Sequence, residues 1–179
     1  MIILLLADLS FYPNVRVSND NQQIINQGES SFVVYKGHIN YNFVDNTTGV
    51  TWHTDPVIGI GDSRYIHMIV QFYTYYIKHY LSKNGGLTWS DTSFVTDLST
   101  RGDVDKPWMV IRGETIYVSW QEFGGTSSGI KFARSFDRGK TWQRFVVDPL
   151  RTGITALSLS KSGIIYLAYV SDNLYFKVL

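Results

Sequence analysis

Ser82 to Trp89 reads SKNGGLTW, and Ser135 to Trp142 reads SFDRGKTW. Both spell S-x-[DN]-x-G-x-T-W. A motif this specific, written twice in one register, means a repeated structural unit, so the repeat is read before any catalytic residue. Its residue types have a folding purpose. The side chain of Asn84 or Asp137 is suited to accept hydrogen bonds from backbone N–H groups two or three residues on. Gly86 and Gly139 supply a backbone conformation closed to other residues. Thr88 and Thr141 can tie the turn off, and Trp89 and Trp142 can pack over it as apolar lids.

The repeat extends beyond the box. YIKHYLS (Tyr76 to Ser82) and GIKFARS (Gly129 to Ser135) precede the two boxes, with Ile77 and Ile130 at matching positions. Upstream, DKPWMVIRGETIYVSWQEF (Asp105 to Phe123) reads as two strands joined at Arg112-Gly113-Glu114, and DPVIGIGDSRYIHMIVQF (Asp55 to Phe72) matches it. ESSFVVYKGHINYNF (Glu29 to Phe43) and TALSLSKSGIIYLAY (Thr155 to Tyr169) are further copies. Pro56 and Pro107 fall where strands begin, one of the few places proline suits a sheet. After each clear box comes a fourth strand, SFVTD (Ser93 to Asp97) or RFVVD (Arg144 to Asp148). Four antiparallel strands in roughly 50 residues make one propeller blade, which buries its faces only against neighbours.

Composition agrees. The 179 residues are 44% hydrophobic and 17% charged, with 12 Tyr, 10 Phe and 5 Trp, a bias toward strands. A net charge of +1 with scattered Lys and Arg leaves no electrostatic footprint for nucleic acid. The absence of Cys excludes disulfides and thiolate metal sites. The opening MIILLLADLS lacks a basic flank and is cut short by Asp8, so it reads as a buried strand rather than a signal peptide. No apolar run reaches the roughly 18–20 residues of a spanning helix.

The two boxes resemble the Asp-boxes, or BNR repeats, of the sialidase-like superfamily. DNTTGVTW (Asp45 to Trp52) resembles a third, worn copy that keeps Gly49, Thr51 and Trp52. The resemblance covers about residues 14–178 and implies an all-β propeller with boxes on the outer rim, away from the ligand face. The expected organisation is one partial propeller over residues 1–179: leading strands within 1–18, a degenerate blade at about 29–55, blades at about 56–98 and 105–148, and an unfinished blade at about 154–179. The resemblance further implies partners that complete the ring, either remaining blades of a longer chain or further copies of this one.

A sialidase of this family is expected to carry an arginine triad, a Tyr–Glu nucleophile pair and an acidic acid/base. Its Phe/Tyr-Arg-Ile-Pro motif has no counterpart here; YPNVRV (Tyr12 to Val17) sets Arg16 in a different context. Arg64, Arg101, Arg112, Arg134, Arg138 and Arg144 carry no triad motif either. No catalytic residue, metal ligand or cofactor is therefore assigned. Glu29, Asp55 and Asp105 share a place just before the inner strand, which the resemblance sets on the ligand-bearing face; Asp103, Trp108 and Arg112 complete the candidates. A glycosidase of another kind needs two carboxylates within several ångströms; the plainer reading is that these acids tie loops to neighbouring blades. Trp108 and Trp120 suit sugar stacking or core packing. GTSSG (Gly125 to Gly129) fits the nucleophile-elbow pattern but bridges two strands, where that chemistry needs a strand and then a helix. His38, His53, His67 and His79 show no ligand spacing. NTT at Asn46 is a glycosylation sequon. Ligand contact is expected on the loops at 19–29, 98–107 and 121–129, since rigid scaffolds hold binding residues on loops. The function expected is surface recognition of a glycan or a protein, in a secreted, cell-surface or virion setting; a fragment of an exo-sialidase is the alternative.

Overall fold

A computed structural model describes residues 27–35, 38–45, 53–100 and 102–179. The expected leading strands, the Lys36-Gly37 turn, the worn box after Asp45, and Arg16 and Arg101 lie outside the described residues. The described chain is all β. Thirteen strands form four antiparallel sheets. β1 (Gln27–Tyr35) pairs with β2 (His38–Asp45). A four-stranded sheet follows: β3 (His53–Ile60), β4 (Ile66–Phe72), β5 (Tyr76–Ser82) and β6 (Ser90–Phe94). The next repeats that order with β7 (Asp103–Arg112), β8 (Thr115–Phe123), β9 (Gly129–Ser135) and β10 (Gln143–Asp148). The last holds β11 (Ile154–Leu159), β12 (Ile165–Val170) and β13 (Leu174–Val178). Each sheet is a simple meander, and the first strands β1, β3, β7 and β11 pack side by side. This is propeller architecture, left unclosed by the described strands. No helix among the described residues is long and apolar enough to cross a membrane.

Alternation explains why the sheets stack. In β8, Ile116, Val118 and Trp120 turn to the β3–β6 sheet, where they join Ile69, Ile77 and Met109 in one core. Tyr117 points the other way, toward Phe132, Leu157, Leu167 and Tyr169, which form a second core against β11–β13. Strands buried on both faces carry apolar side chains at odd and even positions alike. Between the sheets the joins are specific: Val104 N–H donates to Thr74 O (2.7 Å), and Ser119 Oγ meets Thr155 Oγ1 (2.8 Å) in full burial.

The molecule has two distinct ends. β3, β7 and β11 begin at one, which also gathers the loops after β4, β8, β6 and β10. The two S-x-[DN]-x-G-x-T-W boxes lie at the other, between third and fourth strands.

Both inner strands break their ladder at the same point. Register shifts lie between Thr54 and Val57 and between Asp105 and Trp108. Asp55 (φ 47) and Lys106 (φ 48), each just before a proline, take the left-handed conformation. The proline has no N–H to offer the ladder, so a bulge falls there at little cost. Structurally, then, Asp55 answers Lys106, not Asp105. The sequence pairing of Asp55 with Asp105 is corrected: the prolines set the register, and Lys106 is the residue that occupies the bulge.

Candidate functional site

The boxes come first because they show what is structural. In the second box, Ser135 Oγ donates to Asp137 Oδ1 (2.8 Å) and accepts from Gly139 N–H (2.8 Å). Asp137 Oδ1 accepts from the N–H groups of Lys140 (3.1 Å) and Thr141 (2.9 Å), and Oδ2 from the Thr141 hydroxyl (2.6 Å). Partial burial works against the ionised carboxyl, but these donors win and hold it down at about 2. In the first box, Ser82 Oγ accepts from Gly86 N–H (2.8 Å), Asn84 Oδ1 accepts from Thr88 N–H (2.9 Å), and Asn84 Nδ2 donates to Thr88 Oγ1 (2.9 Å). Gly86 and Gly139 have φ of 90° and 84°. Trp142 is buried and its indole N–H donates to Ser93 Oγ (2.6 Å) in the neighbouring sheet; Trp89 is only half-buried.

The box end is closed by further ties between sheets. Glu114 accepts from Ser63 N–H (3.1 Å) and from Arg138 Nε (2.6 Å). Arg138 also lies over the Tyr65 ring. One sheet further on, Arg112 Nη2 donates to Lys161 O (2.9 Å). Arg112 therefore does not belong with the acidic candidates. It pairs with Thr115 at the β7–β8 turn, whereas Asp103 pairs with Phe123 at the opposite end of the same ladder. The correction has a simple cause: a ten-residue strand carries its last residue to the far end of the sheet.

The strand-start end holds the rest. Asp55 makes an ion pair with Lys106 (3.2 Å), and Asp105 accepts from Gln121 Nε2 (2.8 Å). Glu29 lies on β1, at the irregularity between Gln27 and Ser30. Trp108 is 45% exposed on β7, so it is not the core residue its aromatic ring suggests, while Trp120 is buried. The arginines with described side chains are largely engaged structurally. Arg144 donates to Val95 O and Phe94 O, and Arg134 to Gln143 Oε1. Arg151, which the motif search did not weigh, donates to Asp148 Oδ2 (3.2 Å) and stacks on Tyr175. Gly125 to Ser128 form part of the β8–β9 loop, where Ser127 Oγ accepts from Lys131. Among the described residues no group of three or more His, Cys, Asp or Glu is arranged to hold a metal ion.

A 140 Å³ pocket opens at this end, between the β6 exit loop and the β7–β10 sheet. Asp97 and Thr100 come from the loop; Trp120, Glu122, Ser127 and Lys131 come from β8, β9 and their connection. The expected ligand loops at 98–107 and 121–129 thus meet here. Glu122 is 4% exposed, and burial raises its carboxyl above the usual range, with the Lys131 charge working against that. Glu122 Oε1 and Trp120 Nε1 are both buried, and hydrogen bonding from Trp120 and Thr100 joins the Lys131 charge in working against the rise. Gly102 makes room for Glu122, since a Cβ there would stand 2.7 Å from Glu122 Cγ.

No family model and no curated protein matches the sequence. Solved structures do match in shape. A Dyadobacter fermentans protein of unknown function superposes with a TM-score of 0.54 at 16% identity, over 69% of this chain and 36% of that one. The K499G mutant of NanB sialidase from Streptococcus pneumoniae gives 0.52 at 14% identity, over 79% and 24%. NanB plus Optactamide gives 0.50 at 12%, over 80% and 24%. The fold is that of a sialidase-like propeller. The chain spans between 24% and 36% of the length of these structures.

Proposed function

We propose that this chain is a non-catalytic recognition module of the Asp-box, or BNR-repeat, type, binding a glycan or a protein surface in a secreted, cell-surface or virion assembly. What carries the reading is the asymmetry of the two ends. The box end is knitted together by Glu114, Arg138, Arg112 and the boxes themselves. The strand-start end presents an open pocket lined by the polar and charged side chains of Asp97, Thr100, Glu122 and Lys131, and Trp108 is exposed midway along β7. Preformed concavities with a few convergent polar groups are where ligands bind. Remaining blades of a longer chain, or further copies of this one, would cover the open sheet faces.

A second reading, part of an exo-sialidase, draws on the likeness to NanB in fold. The commitment of Arg112, Arg138, Arg144 and Arg151 to structural partners favours the first. The test is a glycan panel probed beside hydrolysis of an aryl sialoside. Retention on the panel without release of the aryl group supports recognition. Turnover of the sialoside overturns it.

A further inference from the structure

The seam between the β3–β6 and β7–β10 sheets shows how one blade seats its box on another. Trp142, the last residue of the second box, lies over a cross-strand pair of the facing sheet, His79 and Ser93. Its ring meets His79 edge-on with centroids 5.8 Å apart, and its indole N–H donates to Ser93 Oγ (2.6 Å). The strand that follows the box, β10, pairs along β9 and reaches β6, where Arg144 donates to Phe94 O and Val95 O.

The next seam repeats the facing pair. Two residues beyond the matched Ile77 and Ile130 stand His79 and Phe132. Ser93 pairs with His79, and Phe145 pairs with Phe132. Opposite them β13 takes the place of β9. Lys177 pairs with Leu167 as Ala133 pairs with Val118, and Leu179 bonds to Ile165 O (2.9 Å) in the position of Ser135. What differs lies between the strands. A 360 Å³ groove opens between β10 and β13, lined by Phe132, Phe145 and Val147 together with Arg134, Lys177 and Leu179. Phe145 is 45% exposed, and among the described residues β13 pairs with β12 alone. The groove is the counterpart of the place that Trp142 fills one blade earlier.

Its chemistry states what it takes. Two phenyl rings stand where the imidazole and the hydroxyl lie beneath Trp142, so the groove favours an aromatic ring. Arg134, which lies over the Phe145 ring, and the exposed Lys177 bring two cations, and no acid lines the groove. Carboxylates beside the ring complement them. β13 has no proline and a single charge, so little guards its edge against another strand. An extended segment adds to such an edge through backbone bonds and takes its specificity from the pockets beside it.

We propose that this groove docks an extended segment of a partner protein, which pairs along β13 and sets an aromatic side chain, flanked by acidic residues, over Phe132 and Phe145. The site lies between outer strands, apart from the strand-start end on which the recognition reading rests, and it stands independently of that reading.

The test uses two capped, dye-labelled peptides, with fluorescence anisotropy read on the 179-residue chain. One is the chain's own Lys140–Asp148 stretch, KTWQRFVVD; the other carries Glu in place of Gln143 and Arg144. The acidic peptide should bind saturably and about ten-fold more tightly at low salt, with the difference shrinking as salt rises. Alanine at its tryptophan should weaken it at least about ten-fold, the scale of an aromatic anchor. N-methylation at two adjacent residues, one peptide each, should give unequal losses, because alternate N–H groups face the ladder. In the protein, Phe145→Asp should abolish binding, and Lys177→Glu, at an exposed position that leaves the fold intact, should erase the advantage of the acidic peptide. Absence of saturable binding by either peptide, or binding indifferent to the peptide's tryptophan or to Lys177→Glu, overturns the proposal. Equal losses from the two N-methylated peptides overturn it as well. So does a dimer of the unliganded chain in sedimentation that Phe145→Asp turns into monomer, because a second copy then occupies the groove.

Discussion

Asp137 and Asn84 occupy the same place in two copies of one turn, and each copy predicts how the other responds to substitution. Asp137 holds two backbone N–H groups and the hydroxyls of Ser135 and Thr141. Asp137→Ala orphans them and should destabilise by about 1–3 kcal/mol in urea denaturation. Asp137→Asn should cost under about 1 kcal/mol, because Asn84 shows that an amide Oδ1 takes the backbone bond while Nδ2 reverses the hydroxyl bond. The acid response follows from the depressed pKa. The stabilisation from Asp137 is present above the unfolded carboxylate value of about 4 and fades as pH falls toward about 2. Gly139 has a stricter role. Its φ is 84°, and a Cβ would run into the His79 ring. Gly139→Ala should cost about 2 kcal/mol or more, more than the same change at Gly86, whose added Cβ would find nothing nearer than 3.9 Å.

Between elements, the seam joining β5 to the second box holds two histidines. His67 Nδ1 and His79 Nε2 lie 3.0 Å apart, both rings are fully buried, and His79 meets the Trp142 ring edge-on. Burial pushes His67 down to about 4, against the pull of Glu114, and His79 down to about 3. Both are neutral in the fold at neutral pH and charge in the unfolded chain below about 6.5. The unfolded state then binds more protons, so stability falls as pH drops from about 6.5 and levels off only near the folded values. Denaturation midpoints at pH 7.5, 5.5 and 4.5 should decline steadily. His79→Phe should flatten part of that decline even if it lowers stability at pH 7.5; an unchanged pH slope would show that the histidines do not cause it. Sequence spacing gave no ligand signal for these residues. Their meeting depends on the β4–β5 register, which sets His67 opposite Leu81 and His79 opposite Ile69, and no motif encodes that.

At the scale of the whole molecule, what repeats was legible and what departs from the repeat was not. Box, hairpin and proline spacing were enough to read a propeller from the sequence, because each blade spells its turns with the same residues. The pocket escaped because its residues lie where the copies disagree: Trp120 against Tyr169, Lys131 against Tyr175. An acid continuing the inward alternation of Ile116, Val118 and Trp120 was the available signal, and Glu122 is that acid. Arg112 was misplaced for the complementary reason, since strand length rather than residue type decides which end a side chain reaches. The two ends then make opposite demands on stability. Arg138→Ala at the box end breaks the bond to Glu114, an exposed pair worth up to about 1 kcal/mol. It should lower the melting temperature slightly and leave ligand binding untouched. Glu122→Met at the pocket removes a buried acid, whose raised pKa marks a cost that grows once pH exceeds the unfolded value. It should raise the melting temperature at pH 7, because methionine fills the same seam with no carboxyl to desolvate. A Glu122→Met protein that melts lower than the parent at pH 7 would mean that Glu122, through Lys131, Trp120 and Thr100, stabilises the seam.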